Sequence, residues 1–144
     1  MYNKVLLAVD GSPTSTEAAR TANMLLEKGM AQKVEVIHVV PNLINSYYDM
    51  GGDMIKSLSE QTQEKGKEIL RLTTEMFSMP EKVQTVFRIG DTAETICEYA
   101  KKNGVDLIIV GSRGMNPLAG LLVGSVSSRI IHFAPCPVLV VKPH

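Results

Sequence analysis

Four residues have the types and spacing for chemistry: Gly111, Gly114, Gly124 and Ser125. They stand in DLIIVGSRGMNPLAGLLVGSVSSRI, residues 106–130. The apolar run Leu107 to Val110 ends in Gly111. Two residues separate Gly111 from Gly114, nine separate Gly114 from Gly124, and Ser125 follows directly. A helical pattern comes next, which predicts Val126, Ile130 and Phe133 on one face. A buried strand that runs through a glycine-spaced loop into a helix start is suited to an anion. Glycine lets the backbone come close to a ligand and take positive φ. The free N–H groups and the dipole of the helix N-terminus attract negative charge. The expected chemistry is therefore phosphate binding, most simply that of a nucleotide.

Alternating strands and helices must position that loop. Val5 to Val9 is a continuous apolar run, as in a strand buried on both faces. Ser12 and Pro13 read as N-cap and first helical residue, with a second possible start at Thr14 and Glu17. Ala18, Ala19, Ala22, Leu25 and Leu26 carry that helix to Gly29. A second strand is expected over 34–40, then a loop over 42–56 and a helix over 57–77. The polar first half of that helix should be more exposed than the half with Ile69, Leu70, Leu72, Met76 and Phe77. A third strand is expected over 82–88. Asp91 and Glu94 then form a capping-box spacing. Ala93, Ile96, Cys97 and Ala100 follow at i, i+3, i+4 and i+7, and Asn103-Gly104 supplies a stop. The fourth strand spans 106–111, and a fifth spans 137–142.

This alternation predicts one α/β domain over residues 1–144, with a parallel sheet and helices on both faces. Ligands of such sheets sit beyond the strands' carboxyl ends, where the strand order reverses. Asp10 closes strand one and Gly111 opens the loop after strand four. If those strands are neighbours, both residues face one crevice; periodicity alone leaves the order open.

Composition removes several function classes. Lys and Arg total 15 and so do Asp and Glu, so no net field draws the chain toward nucleic acid or an anionic membrane. No apolar run approaches the ~20 residues that cross a bilayer. The opening MYNKVLLAVD reads as a first strand and not as a cleaved leader, so a cytoplasmic protein is expected. Cys97 and Cys136 suit a reducing compartment and lack metal-ligand spacing. The first strand–helix turn, DGSPTS, lacks GxGxxG, and no GxxxxGK[ST] exists.

Taken together, GSRG, nine residues, GS and the ending APCPVLVV resemble the universal stress protein family. The resemblance is to its branch with the G-2x-G-9x-G-S/T nucleotide signature. VLLAVDGSPTS and RIGDTAETICEYAKKNGVDLIIVGSRG are similar to it too, so the resemblance covers essentially the whole chain. It implies a Rossmann-like open five-stranded parallel sheet of order 3-2-1-4-5, and ATP, or ADP or AMP, in the crevice. It also implies a homodimer through the last strand, Val138, Leu139, Val140 and Val141. By the same resemblance, Ala8, Val9 and Asp10 lie near ribose and adenine, and Val39 and Val40 wall the base. Gly111, Ser112, Arg113, Gly114, Gly124, Ser125, Val126 and Ser127 match the phosphate and ribose positions. Any Mg2+ would be held mainly by the phosphates, near Asp10. One departure concerns the loop interior, MNPLAGLLV, which carries no Lys or Arg where many members carry basic residues. Phosphate binding would then rest on backbone amides, hydroxyls and Arg113.

Other residues invite plainer readings. Asp10 in Asp-Gly-Ser is also good turn chemistry, and Ser125 could be only a helix cap. His38, His132 and His144 show no ligand spacing and read as structural or solvated. Cys97 reads as core, Cys136 between two prolines as a candidate thiol, and Tyr47-Tyr48 as either a lid over the base or a surface loop. No catalytic triad, paired carboxylates or metal cluster stands out. Three functions remain open: a regulatory stress-response protein with ATP as a conformational ligand and an unknown protein partner; a slow ATPase or transferase using Asp10; and an interaction module with a vestigial pocket.

Overall fold

The computed structural model describes residues 1–42, 51–113 and 123–143. Its elements are β1 (Tyr2–Ala8), α1 (Pro13–Glu27), β2 (Ala31–Val40), α2 (Gly52–Thr74), a 3₁₀ turn (Pro80–Lys82) and β3 (Val83–Ile89), followed by α3 (Thr92–Lys102), β4 (Leu107–Gly111), α4 (Ser125–Phe133) and β5 (Val138–Val141). The sheet is parallel throughout, in the order β3-β2-β1-β4-β5. The strand order therefore reverses between β1 and β4. Right-handed crossovers put helices for leftward steps on one face and helices for rightward steps on the other. Accordingly α1 and α2 cover one face, over Val5, Leu7, Val34, Val36 and Ile109. α3 and α4 cover the opposite face, over Leu6, Ala8, Ile37, Val39 and Ile108. Val5, Leu6 and Leu7 have no exposed surface, because β1 lies at the sheet centre under both layers.

Local signals set the start of α1 and both ends of α3. Ser12 caps α1: its Oγ accepts from Ser15 N at 3.2 Å, and Pro13 takes the first helical position. Asp91 caps α3 by accepting from Glu94 N at 3.0 Å. Ala93, Ile96, Cys97 and Ala100 form its buried stripe. α3 ends at Lys102 with Asn103 as its C-cap, and Gly104 takes φ 64° in the left-handed region that glycine favours.

Several expectations are corrected. β1 begins at Tyr2 and not Val5, and β2 begins at Ala31 and not Val34, because partly polar strand starts still pair: Tyr2 lies opposite Ala31 and Lys4 opposite Lys33. α2 starts at Gly52, five residues before the predicted 57, and stops at Thr74. The added residues, Gly52 to Lys56, carry only Met54 and Ile55 as apolar residues, and Met54 is exposed, so no apolar stripe marked them. Leu72 is exposed at 49%, since Leu70 and Thr73 occupy the buried stripe. Phe133 is exposed at 64%, because Ser127 and Ile130 are what α4 turns inward. The four consecutive apolar residues Val138 to Val141 suggest a strand buried on both faces, but within the single chain Leu139 is 39% exposed.

Candidate functional site

The reversal point gathers the ends of β1 and β4 and the starts of α1 and α4. Beyond β1, Asp10 makes a turn: its Oδ1 accepts from Ser12 N at 2.9 Å, and its own N–H donates to Ser15 Oγ at 3.2 Å. Gly11 takes φ 82°, which supplies the left-handed bend that lets α1 start there. Asp10 therefore fulfils the plain turn reading, while its half-buried carboxylate stays at the crevice.

Gly111 is required by packing. A Cβ there would lie 2.5 Å from Thr14 Oγ1 and 2.8 Å from the Thr14 backbone carbon. The end of β4 thus lies directly on the first turn of α1. Thr14 Oγ1 donates to Arg113 O at 2.5 Å, and Ser12 Oγ donates to the same carbonyl at 3.4 Å. These two buried hydroxyls fix the root of the glycine loop. Sequence reasoning missed that role, because both read only as helix-start signals. It also expected positive φ at the loop glycines. Gly124 instead has φ −70°, and Gly111 is not among the positive-φ glycines, so close approach is the reason for Gly111.

Gly124 N donates to Ser112 O at 2.6 Å, and Ser127 Oγ donates to Gly111 O at 2.6 Å. These bonds tie the start of α4 to the end of β4. Gly124 is the N-cap and brings no side chain to it, so Ser125 is the first helical residue and not the cap. Ser128 N donates to Gly124 O. The amides of Ser125, Val126 and Ser127 come before the first intrahelical bond, where a helix offers unclaimed donors and positive potential. Ser125 is exposed and Val126 half-buried. Two polar atoms at the loop root, Ser112 Oγ and Arg113 Nε, are buried without a partner among the described residues. Such groups are costly unless something binds them. Gly114, Tyr47, Tyr48 and His144 lie outside the described residues.

The base wall expected at Val39 and Val40 divides, because neighbouring strand residues point opposite ways. Val39 packs on the α3–α4 face. Val40 lines a cleft of about 300 Å³ on the α2 side with Pro41, Ser59, Thr62 and Ile89. Among the described residues, no charged side chain lines this cleft, which suits a base better than a phosphate. The backbone divides likewise. Val40 O accepts from Gly90 N on the β3 side, whereas Ile37 O accepts from Val9 N on the β1 side. By alternation the N–H and C=O of Val39 also face the β1 side, where β1 has ended.

Titration away from the crevice follows local contacts. Burial pushes both the Cys97 and Cys136 thiols up, away from the thiolate form that acts as a nucleophile. The Arg129 guanidinium and then the Glu94 amide hold the Asp91 carboxyl below its ordinary range. His38 is buried, with Nδ1 2.8 Å from Val9 O. Among the described residues, no cluster of three His, Cys, Asp or Glu is placed to hold a metal. No helix there is long and apolar enough to cross a membrane.

These features define an open α/β protein with a glycine-capped helix start at its topological switch point. The universal stress protein family model matches residues 1–142. The chain belongs to the universal stress protein family. It is 31% identical over 149 residues to universal stress protein YxiE of Bacillus subtilis, covering 99% of this chain and 100% of the relative. The solved structure of hypothetical protein MJ0577, from Methanocaldococcus jannaschii, superposes with a TM-score of 0.87 at 28% identity, covering 100% of this chain and 98% of the other. Two more distant structures share the fold. One is an Arabidopsis thaliana family protein with AMP bound (TM-score 0.70, 22% identity, 99% and 92% covered). The other is a universal stress protein in complex with cAMP (TM-score 0.72, 20% identity, 97% of each chain).

Proposed function

We propose that this chain binds an adenine nucleotide between the ends of β1 and β4, and that ATP acts there as a conformational ligand and not as a consumed substrate. The observation that carries the reading is the first turn of α4. It is a helix start capped by glycine and tied to the end of β4, with three amides that the helix itself leaves unclaimed. A phosphate suits that position by charge and by hydrogen bonding. Gly111, Ser112, Arg113, Gly114, Gly124, Ser125, Val126 and Ser127 would surround the phosphates. The unpartnered Ser112 Oγ and Arg113 Nε fit such a ligand. Ala8, Val9 and Asp10 would lie beneath the ribose. Mg2+, when bound, would offset phosphate charge, and Asp10 is the carboxylate this chain would offer it.

Family membership and the AMP and cAMP complexes of the distant relatives support the adenine class. So does the edge of Val39, which offers a donor beside an acceptor. Adenine presents N1 as acceptor and its amino group as donor, whereas guanine reverses that order. A site built from buried polar groups discriminates well against the reversed pattern. Calorimetric titration with ATP, ADP, AMP, cAMP and GTP tests the reading, with mass analysis of whatever co-purifies. ATP binding tighter than GTP is expected; equal affinities, or no binding, overturn it. Phosphate release well below about 1 s⁻¹ is expected. Release at ordinary enzyme rates that is lost in Asp10→Ala would make the protein an ATPase instead.

The second part of the proposal is a homodimer through β5. This strand ends the sheet, no other strand pairs with its outer edge among the described residues, and Leu139 is 39% exposed. An open apolar edge invites another strand, and two identical edges pair about a two-fold axis to give a closed dimer.

A further inference from the structure

We propose that His38 is a positioning residue for base recognition: its ring draws the Val9 carbonyl out of the β1–β2 ladder and leaves the Val39 N–H and C=O free to read the base. This inference rests on the adenine-nucleotide reading above.

The ladder itself gives the first observation. β1 and β2 pair in register from Tyr2↔Ala31 to Ala8↔Ile37. Val9 N still donates to Ile37 O at 3.0 Å. In a regular parallel pair the next bond would run from Val39 N–H to Val9 O. That bond is absent among the described residues, and β1 ends at Ala8. The Val9 carbonyl is occupied instead by His38 Nδ1 at 2.8 Å. A carbonyl only accepts, so Nδ1 carries the proton. One side-chain donor has replaced one backbone donor, and the displaced N–H is the one that faces the crevice.

Packing holds the ring in this role. Gly66 of α2 lies against it so closely that a Cβ there would be 2.7 Å from His38 Cδ2 and 3.1 Å from Nε2. Phe87 of β3 flanks it, with ring centroids 6.5 Å apart. The ring therefore cannot swing away from Val9 without moving α2 or β3. His38 does not touch the base in this scheme; it keeps the Val39 amide from being spent on the sheet.

The test separates donor from ring. His38→Phe keeps an aromatic filler and removes the donor, so Val9 O becomes available to Val39 N–H. His38→Asn loses the ring but keeps an N–H donor two bonds from Cβ, where Nδ1 stands. Backbone amide hydrogen exchange is followed by NMR without nucleotide, and ATP and GTP affinities are measured by calorimetry. In the unaltered protein, Val39 is expected to exchange faster than Ile37. In His38→Phe, Val39 becomes protected, and the preference for ATP over GTP falls by roughly tenfold, as expected for losing one buried hydrogen bond. His38→Asn retains both the fast Val39 exchange and the preference. A Val39 amide already protected in the unaltered protein overturns the proposal. So does a loss of preference that follows the ring, large in His38→Asn and absent in His38→Phe. If the unaltered protein binds no adenine nucleotide, the functional reading fails and takes the base-reading role with it. The exchange rates then still report separately whether His38 holds the ladder open.

Discussion

Gly111→Ala should be among the most damaging single-methyl additions in this fold. The new Cβ would meet Thr14 Oγ1 at 2.5 Å, the Thr14 carbonyl carbon at 2.8 Å and Thr14 Cβ at 2.9 Å. Ordinary carbon contacts lie near 3.5–4.0 Å, so α1 and β4 must part by roughly an ångström or the strand end must twist. Overpacking of this kind costs about 1–3 kcal/mol. The displacement also breaks the Thr14 Oγ1 bond to Arg113 O, worth a further ~1 kcal/mol. The sum, about 2–4 kcal/mol, lowers the melting temperature by roughly 6–12 °C for a domain of this size. Thermal unfolding followed by circular dichroism measures it. A second variant sharpens the test. Thr14→Ala removes the hydroxyl, but the backbone carbon at 2.8 Å remains, so the double variant should recover little. A melting temperature unchanged in Gly111→Ala, or full recovery in the double variant, would refute the packing argument.

Other outcomes follow from particular contacts. Gly66→Ala should destabilise the protein, although alanine gains about 1 kcal/mol over glycine in an ordinary helix interior, because its methyl lands 2.7 Å from His38 Cδ2 and 2.9 Å from Phe87 Cε2; a stabilised variant in chemical denaturation refutes this. Asp91→Ala removes the cap of α3 and should cost about 1 kcal/mol at neutral pH. Since Arg129 and the Glu94 amide lower the folded pKa of Asp91, that advantage is present above the ordinary carboxylate range and shrinks as pH falls through the folded value; an urea-unfolding gap independent of pH refutes the assignment. Burial and the Glu35 carboxylate raise the Tyr99 phenol to about 12, so its contribution holds below its unfolded value and is lost as pH rises toward 12; an absorbance titration should show the latest-ionising phenol disappear in Tyr99→Phe. The proposed dimer predicts twice the chain mass by light scattering at tens of micromolar, and a monomer there refutes it.

The amino-acid pattern by itself determined the alternation of strands and helices. Continuous apolar runs at Val5 to Val9 and Leu107 to Val110, bounded by polar and glycine residues, fit strands covered on both faces. Ser12-Pro13 and Asp91 marked their helix starts because a cap works within four residues, and all of its partners are local. The glycine spacing after β4 marked the candidate site for the same reason, since a strand, a loop and a helix start are contiguous in the chain. What needed the tertiary structure were contacts between distant segments. Thr14 meets Arg113 across 99 residues, so nothing near Gly111 in the chain announces why it must be glycine. The first turn of α2, with Gly52 and an exposed Met54, carried no apolar stripe and left its start unreadable. Two neighbouring valines at the end of β2 looked equivalent in sequence, yet the pleat sends Val39 and Val40 to opposite faces and their amides to opposite neighbours. His38 read only as structural or solvated, a polar residue within an apolar strand. Only the register of β1 against β2, which depends on how the whole sheet assembles, brings the Val9 carbonyl to its ring.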